Sequence, residues 1–176
     1  MSLFYPTAFE PRITAVTAQE LQKMGIRGLL LDVDNTLTTH GSQEVDPAVL
    51  QWLQEMRGAG LSLTIVSNAK RRRVEPFAAR LGLESIAMAC KPLPIGFWRA
   101  ANQLGLSRRE CLVIGDQTFT DIVGARLGGM RCIQLDPILL EEGWTFRLKR
   151  WLERKLRRRY ERRAARRRKH TEEQPE

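Results

Sequence analysis

Asp32-Val33-Asp34-Asn35-Thr36 sets two carboxylates one residue apart, with a hydroxyl close behind. Ser67-Asn68 follows further along, then Lys91 just ahead of Pro92, and then Gly115-Asp116 with Asp121 five residues after Asp116. Aspartates crowded into one place repel each other, so such a group needs a cation to be tolerable. Carboxylates with few imidazoles or thiols among them are hard oxygen ligands, which suits Mg²⁺ better than Zn²⁺. A Mg²⁺ site beside a lysine, a hydroxyl and backbone amides is suited to holding a phosphoryl group. Two carboxylates so closely spaced can divide the work, one attacking phosphorus while the other moves protons. An EF-hand is a poor rival for Asp32-x-Asp34: its sixth position would be Leu37, where glycine is needed, and its twelfth Gln43 rather than glutamate.

Each cluster stands where a strand should end. Gly28–Val33 is a short apolar run between breakers and reads as a buried strand. Asp46-Pro47 offers an N-cap and a first-turn proline to a helix carrying Val49, Leu50, Leu53 and Met56, closed by Gly58 and Gly60. Strands follow at 61–67, 85–89, 111–115 and 131–135, with helices near 72–81, 94–104 and 119–127 between them. Thr17 with Glu20 forms a capping box for a short leading helix over 17–24. This alternation predicts an α/β fold: a three-layer α/β/α, doubly wound, parallel five-stranded sheet. In such sheets ligands sit beyond the carboxyl ends of the strands where strand order reverses, so the four clusters are expected to meet in one crevice.

Composition sets the outer bounds. A 43% hydrophobic share over 176 residues fits one packed domain with an appendage. The three cysteines, Cys90, Cys111 and Cys132, are widely spaced and contain no Cys-x-x-Cys pair, so reduced thiols are expected. The opening residues lack a basic stretch followed by an apolar one and do not read as a secretory signal, and no apolar run is long enough to span a bilayer. Residues 1–143 hold 15 Lys+Arg and 15 Asp+Glu, whereas 144–176 hold 14 and 5, so the whole net charge of +9 lies in the last fifth of the chain.

The segments Leu31–Leu37, Ser67-Asn68, Lys91-Pro92 and Gly115–Asp121 resemble the four motifs of the haloacid dehalogenase superfamily. Together with Gly25–Gly28 and the basic stretch after Pro137, the chain is similar from about residue 3 to about residue 160 to the YqeG family of class IIIA phosphatases, relatives of mitochondrial phosphatidylglycerophosphate phosphatase. That resemblance implies that Asp32 is the nucleophile forming an aspartyl-phosphate and that Asp34 is the general acid that later activates water. It implies Mg²⁺ ligation by the carboxylates of Asp32 and Asp116 and the backbone carbonyl of Asp34. Thr36, Ser67, Asn68 and Lys91 would contact the phosphoryl group, with Asp121 orienting the metal site or the lysine. Asp34 argues against the dehalogenase branch, which lacks this second aspartate.

Superfamily members acting on small metabolites often carry a cap domain, and no room for one exists after Asp34 or between Ser67 and Lys91. A lidless crevice admits bulky substrates, such as a headgroup at a membrane or a phosphate on a polymer. Lys70-Arg71-Arg72-Arg73 opens a helix, where cations oppose the macrodipole, and suggests attraction of an anionic surface. His40 reads as a surface-loop histidine.

Trp144, Leu148, Trp151, Leu152, Leu156, Tyr160 and Ala164 recur at helical intervals, with arginines and lysines on the other face. The chain is thus expected to divide into a phosphatase core at 1–143, a basic amphipathic helix at 144–169 and a disordered end at 170–176. Such a helix suits an anionic lipid interface; it also permits packing on the core, or RNA and ribosome contact through Arg157–Lys169. The expected activity is a Mg²⁺-dependent phosphomonoesterase acting on phosphatidylglycerophosphate, cytoplasmic and peripheral on the inner face of the membrane. The alternatives are a phosphatase for a soluble nucleotide, sugar phosphate or nucleic-acid end, and a ribosome- or RNA-binding module.

Overall fold

A computed structural model describes residues 3–139, 151, 155–160 and 162. Its centre is a parallel sheet of six strands in the order β1-β6-β5-β2-β3-β4, formed by Ala8–Glu10, Gly28–Leu31, Ser62–Val66, Glu84–Ile86, Cys111–Gly115 and Arg131–Leu135 numbered in chain order. The five-stranded expectation falls one short. The additional strand, β1, pairs with β6 at the sheet edge, Ala8 opposite Ile133 and Glu10 opposite Leu135. It has three half-buried residues between Pro6 and Pro11, so neither a fully apolar run nor a clear alternation marks it.

The helices are α1 (Ala18–Lys23), α2 (Pro47–Gly58), α3 (Arg71–Arg80), α4 (Ile95–Gln103) and α5 (Val123–Leu127). At α1 the Thr17 hydroxyl and Glu20 carboxylate close the capping box. At α2 the Asp46 carboxylate accepts from the Ala48 N–H at 2.8 Å and Pro47 takes the first position. The buried face of α2, Val49, Trp52, Leu53 and Met56, follows the helical repeat. Trp52 Nε1 donates to the Val16 carbonyl at 2.7 Å, so its buried polar end is satisfied.

Alternation along the central strands builds a core on each face. Leu29, Leu31, Leu112 and Ile114 meet Trp52, Leu53 and Phe77 on one side, while Leu30, Val113 and Cys132 meet Phe97, Ala100 and Ala125 on the other. Strand β2 lies between β5 and β3, so the chain winds outward in one direction to β4, then returns to build β5 and β6 on the other side. The reversal falls between β2 and β5, and Asp32 and Asp116 leave the ends of those two strands.

Two elements differ in detail from expectation. Strand β4 stops at Ile86 because the chain turns there, with Met88 and Cys90 at φ of 51° and 57°. The Met88 and Ala89 N–H groups instead donate to the Ala69 and Ser67 carbonyls, both at 3.0 Å. The helix expected over 119–127 begins as a wider π-helical turn over Thr118–Ile122, where the N–H groups of Asp121 and Ile122 both reach the Gln117 carbonyl. Of the C-terminal helix, most of 144–169 and all of 170–176 lie outside the described residues. Residues 155–160 are helical and lie against β1. Tyr160 meets Tyr5 and Phe9 with ring centroids 5.6 and 5.1 Å apart. The Arg157 guanidinium sits 5.0 Å above the Phe9 ring and pairs with Asp136.

Candidate active site

Asp32 follows β2 without a break: its N–H still donates to the Ile114 carbonyl at 3.0 Å, so its placement is an extension of the sheet ladder. Lys91 leaves the loop after β4, and its position is fixed from Asn68. The Asn68 side chain donates to the Lys91 carbonyl at 3.0 Å and accepts from the Lys91 N–H at 2.7 Å. Both ends of the Asn68 amide are thus engaged in joining the loop after β3 to the loop after β4. The Lys91 ammonium then donates to Asp32 Oδ1 at 2.5 Å and to Asp121 Oδ1 at 2.6 Å, and all three residues are buried.

Asp121 reaches the lysine because of two local features. The π-helical turn carries it back toward β5, where Asp121 Oδ2 accepts from the Gln117 N–H at 3.1 Å. Gly115 leaves the space, since a Cβ there would lie 2.5 Å from the Asp121 carboxyl carbon. The sequence motif places Gly115 beside Asp116, but its role toward Asp121 is a packing fact that spacing alone does not reveal.

Asp32, Asp116 and Asp121 each offer a carboxylate oxygen, all within 4.8 Å of one another and all buried. Three carboxylates with one lysine leave a net negative centre, and the donors are all hard oxygens, which fits a divalent cation of the Mg²⁺ type. Burial is the largest influence on Asp32 and raises its pKa; Lys91 opposes this, while the charges of Asp121 and Asp116 reinforce it, leaving the carboxyl at about 7 in the absence of a cation. For Lys91, burial acts to lower the pKa, but the charges and hydrogen bonds of Asp121 and Asp32 outweigh it and hold the ammonium protonated well above the ordinary lysine range.

Asp34 has a different set of partners. Its carboxylate takes both arms of the Arg73 guanidinium, at 2.5 and 3.0 Å, and accepts from the Gly41 N–H at 3.0 Å. The His40 ring nitrogen stands 3.5 Å away. Partial burial raises the Asp34 pKa, but hydrogen bonds from Arg73 and Gly41, then the charges of Arg73 and His40, bring it below the ordinary carboxylate range. Arg73 therefore stands out from its neighbours: Lys70, Arg71 and Arg72 are exposed, whereas Arg73 is half-buried against Asp34. The sequence marks the basic run but not the member that turns inward.

Ser67 is buried at the end of β3, its hydroxyl accepting from the Ala69 N–H at 3.2 Å. The Thr36 hydroxyl is buried with no hydrogen-bond partner among the described residues. Asn35, at φ 58° and fully buried, turns the loop between Asp34 and Thr36, and its side-chain oxygen accepts from the Leu139 N–H at 3.2 Å. A cavity of about 590 Å³ behind this loop is lined by Thr14, Thr36, Thr38, Val45 and Pro137 among others. None of the clustered acids lines it, so it is separate from the Asp32–Lys91 centre.

Between β2 and α2 lies only a loop, and between β3 and β4 only α3, so the described residues include no inserted lid. An arrangement of this kind presents a carboxylate oxygen held by a lysine, together with a separate acid–arginine pair.

A family model described as haloacid dehalogenase-like hydrolase matches residues 40–129, and one described as mitochondrial PGP phosphatase matches residues 1–75. The probable phosphatase YqeG of Bacillus subtilis is 35% identical over 153 residues, spanning 87% of this chain and 89% of that protein. A phosphatidylglycerophosphate phosphatase of Chlamydomonas reinhardtii is 26% identical, over 78% of this chain and 54% of its own length. In fold, an uncharacterised protein of Listeria monocytogenes matches with a TM-score of 0.56 at 18% identity, covering 66% of this chain and 84% of that one. On the strength of the family match and the extent of the YqeG likeness, the chain belongs to the haloacid dehalogenase-like hydrolases and is a phosphatase of that family.

Proposed function

We propose that the protein is a Mg²⁺-dependent phosphomonoesterase that removes the terminal phosphate of phosphatidylglycerophosphate at a membrane surface, through an aspartyl-phosphate on Asp32. The observation that carries this reading is the buried Asp32–Lys91–Asp121 triad beside Asp116, at the sheet's switch point. Lys91 orients the Asp32 carboxylate and supplies positive charge where phosphoryl oxygens would lie. An Asp32 oxygen forms the new bond to phosphorus as the bond to the departing alcohol breaks, and Asp34 delivers a proton to that alcohol oxygen. In the second half Asp34 takes a proton from water as the water oxygen attacks phosphorus, which releases inorganic phosphate and frees Asp32. Ser67 offers its hydroxyl to the phosphoryl oxygens, whereas Thr36, expected there from the sequence, lines the separate cavity behind the loop. Asn68 serves the same contact through the loop it pins to Lys91. Asp32, Asp116 and the Asp34 carbonyl would hold Mg²⁺, with Asp121 available from its place on Lys91. When bound, the ion neutralises charge on the carboxylates and on the phosphoryl group.

The substrate class is supported by the absent lid, by the exposed cations of Lys70–Arg72, and by the likeness to phosphatidylglycerophosphate phosphatases. The test is a panel of phosphorylated lipids, nucleotides and sugars assayed with and without Mg²⁺, on the native chain and on Asp32→Asn. Expected are strongest turnover of phosphatidylglycerophosphate, dependence on Mg²⁺, and a loss of roughly 10³-fold or more in Asp32→Asn. Better turnover of a soluble sugar phosphate or nucleotide would overturn the substrate, and full activity in Asp32→Asn would overturn the nucleophile.

A further inference from the structure

We infer that one lip of the catalytic mouth, built from residues 70–72 and 88–95, is the surface that enters an anionic lipid bilayer; the inference rests on the phospholipid reading above and gives it a geometry. The two segments are joined at the backbone. Met88 N–H donates to the Ala69 carbonyl, Ala89 N–H to the Ser67 carbonyl, and Asn68 clamps Lys91. The lip is therefore held on the same loops that carry Ser67 and Lys91, directly beside the catalytic centre.

Its composition is unusual for a water-facing edge. Met88, Leu93 and Ile95 are 58%, 54% and 52% exposed, and Cys90 is exposed between them. Neither 67–73 nor 87–95 contains an aspartate or glutamate, while Lys70, Arg71 and Arg72 are all exposed. Exposed aliphatic side chains on one segment beside exposed cations on the other, with Glu75 3.9 Å from Arg71 as the neighbouring acid, match a membrane interface, where apolar groups enter the acyl boundary and cations meet anionic headgroups. Met88 holds a left-handed backbone conformation that a non-glycine residue adopts only when its surroundings impose it, and the bond to Ala69 is one such restraint. The lip is thus a fixed feature of the fold. Helix α3 begins inside it with no side-chain cap and no acid in its first turn, so the cations there oppose the helix dipole.

Cys90 supplies a native reporter. Cys111 and Cys132 are buried, with burial pushing both thiols up to about 11, so Cys90 is the cysteine open to alkylation. The full chain carrying a polarity-sensitive fluorophore on Cys90 is mixed with vesicles of phosphatidylglycerol and phosphatidylcholine, or of phosphatidylcholine alone. Expected are a blue shift with brightening on the anionic vesicles only, and a loss of roughly tenfold or more in vesicle affinity for Met88→Ser/Leu93→Ser. Lys70→Gln/Arg71→Gln/Arg72→Gln is expected to lose roughly 10- to 100-fold, with circular dichroism and melting temperature reporting that each variant is folded. Vesicle binding with a silent Cys90 probe and unaffected lip variants would mean that other parts of the chain make the contact, and would overturn the proposal, as would no vesicle binding at all. Short-chain phosphatidylglycerophosphate presented below its micellar concentration separates the two claims. Its hydrolysis with a silent probe sinks the lip alone, whereas a responding probe without its hydrolysis upholds the lip and sinks the substrate.

Discussion

Asp32 is at once the proposed nucleophile and a residue whose ionisation the fold resists. Its folded-state pKa of about 7 stands above the ordinary 3.8, so the folded chain holds that proton more tightly than the unfolded chain does. Stability drawn from the protonated carboxyl is complete below about pH 4 and is lost as pH rises through 7. Asn at this position cannot ionise, and Lys91 keeps Asp121 as a partner. Asp32→Asn should therefore melt higher than the native chain in chelator at pH 8, by several degrees for a difference on the order of a few kcal/mol. The gap should close toward pH 4 and shrink when Mg²⁺ is added; calorimetry across pH checks it, and a gap independent of pH would count against the ionisation argument. Arg73→Gln acts on the other acid. Losing the guanidinium raises the Asp34 pKa, so the limb of the pH–kcat profile that reports Asp34 should move to higher pH. The contrast between these two acids also shows what a sequence discloses. Asp32 and Lys91 can be placed from the strands they follow. The inward turn of Arg73 depends on a side-chain path across the mouth from helix to loop, which no linear spacing encodes.

At the level of elements, the apolar runs of β2, β3, β5 and β6 are legible because strands buried on both faces have little choice of side chain. Strand β1 escapes notice because an edge strand half open to solvent carries no such demand. The π-helical turn after β5 is likewise invisible: Thr118–Ile122 has the composition of any helix start, and only the crowded meeting of Gly115, Gln117 and Asp121 accounts for the wider winding. That meeting makes Gly115→Ala an informative substitution. An added methyl would press on the Asp121 carboxyl and shift it from Lys91, the element joint giving way before the strand does. Stability should fall by about 1–3 kcal/mol, and kcat by roughly 10- to 100-fold with KM less affected, because the lysine loses its second anchor. Steady-state kinetics with a melting curve measures both. A fall in stability with unchanged kcat would show that Asp121 can be displaced without consequence for Lys91.

Across the whole molecule, the question left by the basic tail is whether its apolar row serves the core or another surface, and the described part of that row divides between the two. Tyr160 packs on Tyr5 and Phe9 and donates to the Thr7 carbonyl at 3.3 Å, covering the edge strand that the sequence conceals. An exposed edge invites unwanted pairing, so a tyrosine laid over β1 has a structural use independent of any ligand. Trp151 is 48% exposed with the Lys155 ammonium 4.4 Å above its ring, an aromatic–cation pair facing outward. No helix among the described residues is long and apolar enough to cross a membrane. The two residues should accordingly separate on substitution. Tyr160→Ala removes two aromatic contacts and should lower stability by about 1–2 kcal/mol, a few degrees in Tm, while leaving vesicle affinity nearly intact. Trp151→Ser should change stability by less than about 0.5 kcal/mol yet weaken binding to anionic vesicles. Calorimetry and vesicle flotation on the two variants decide the matter. If both lower Tm alike, the row is one structural face and the tail belongs to the core; if both leave Tm unchanged, the packing of Tyr160 on β1 contributes nothing to holding the edge.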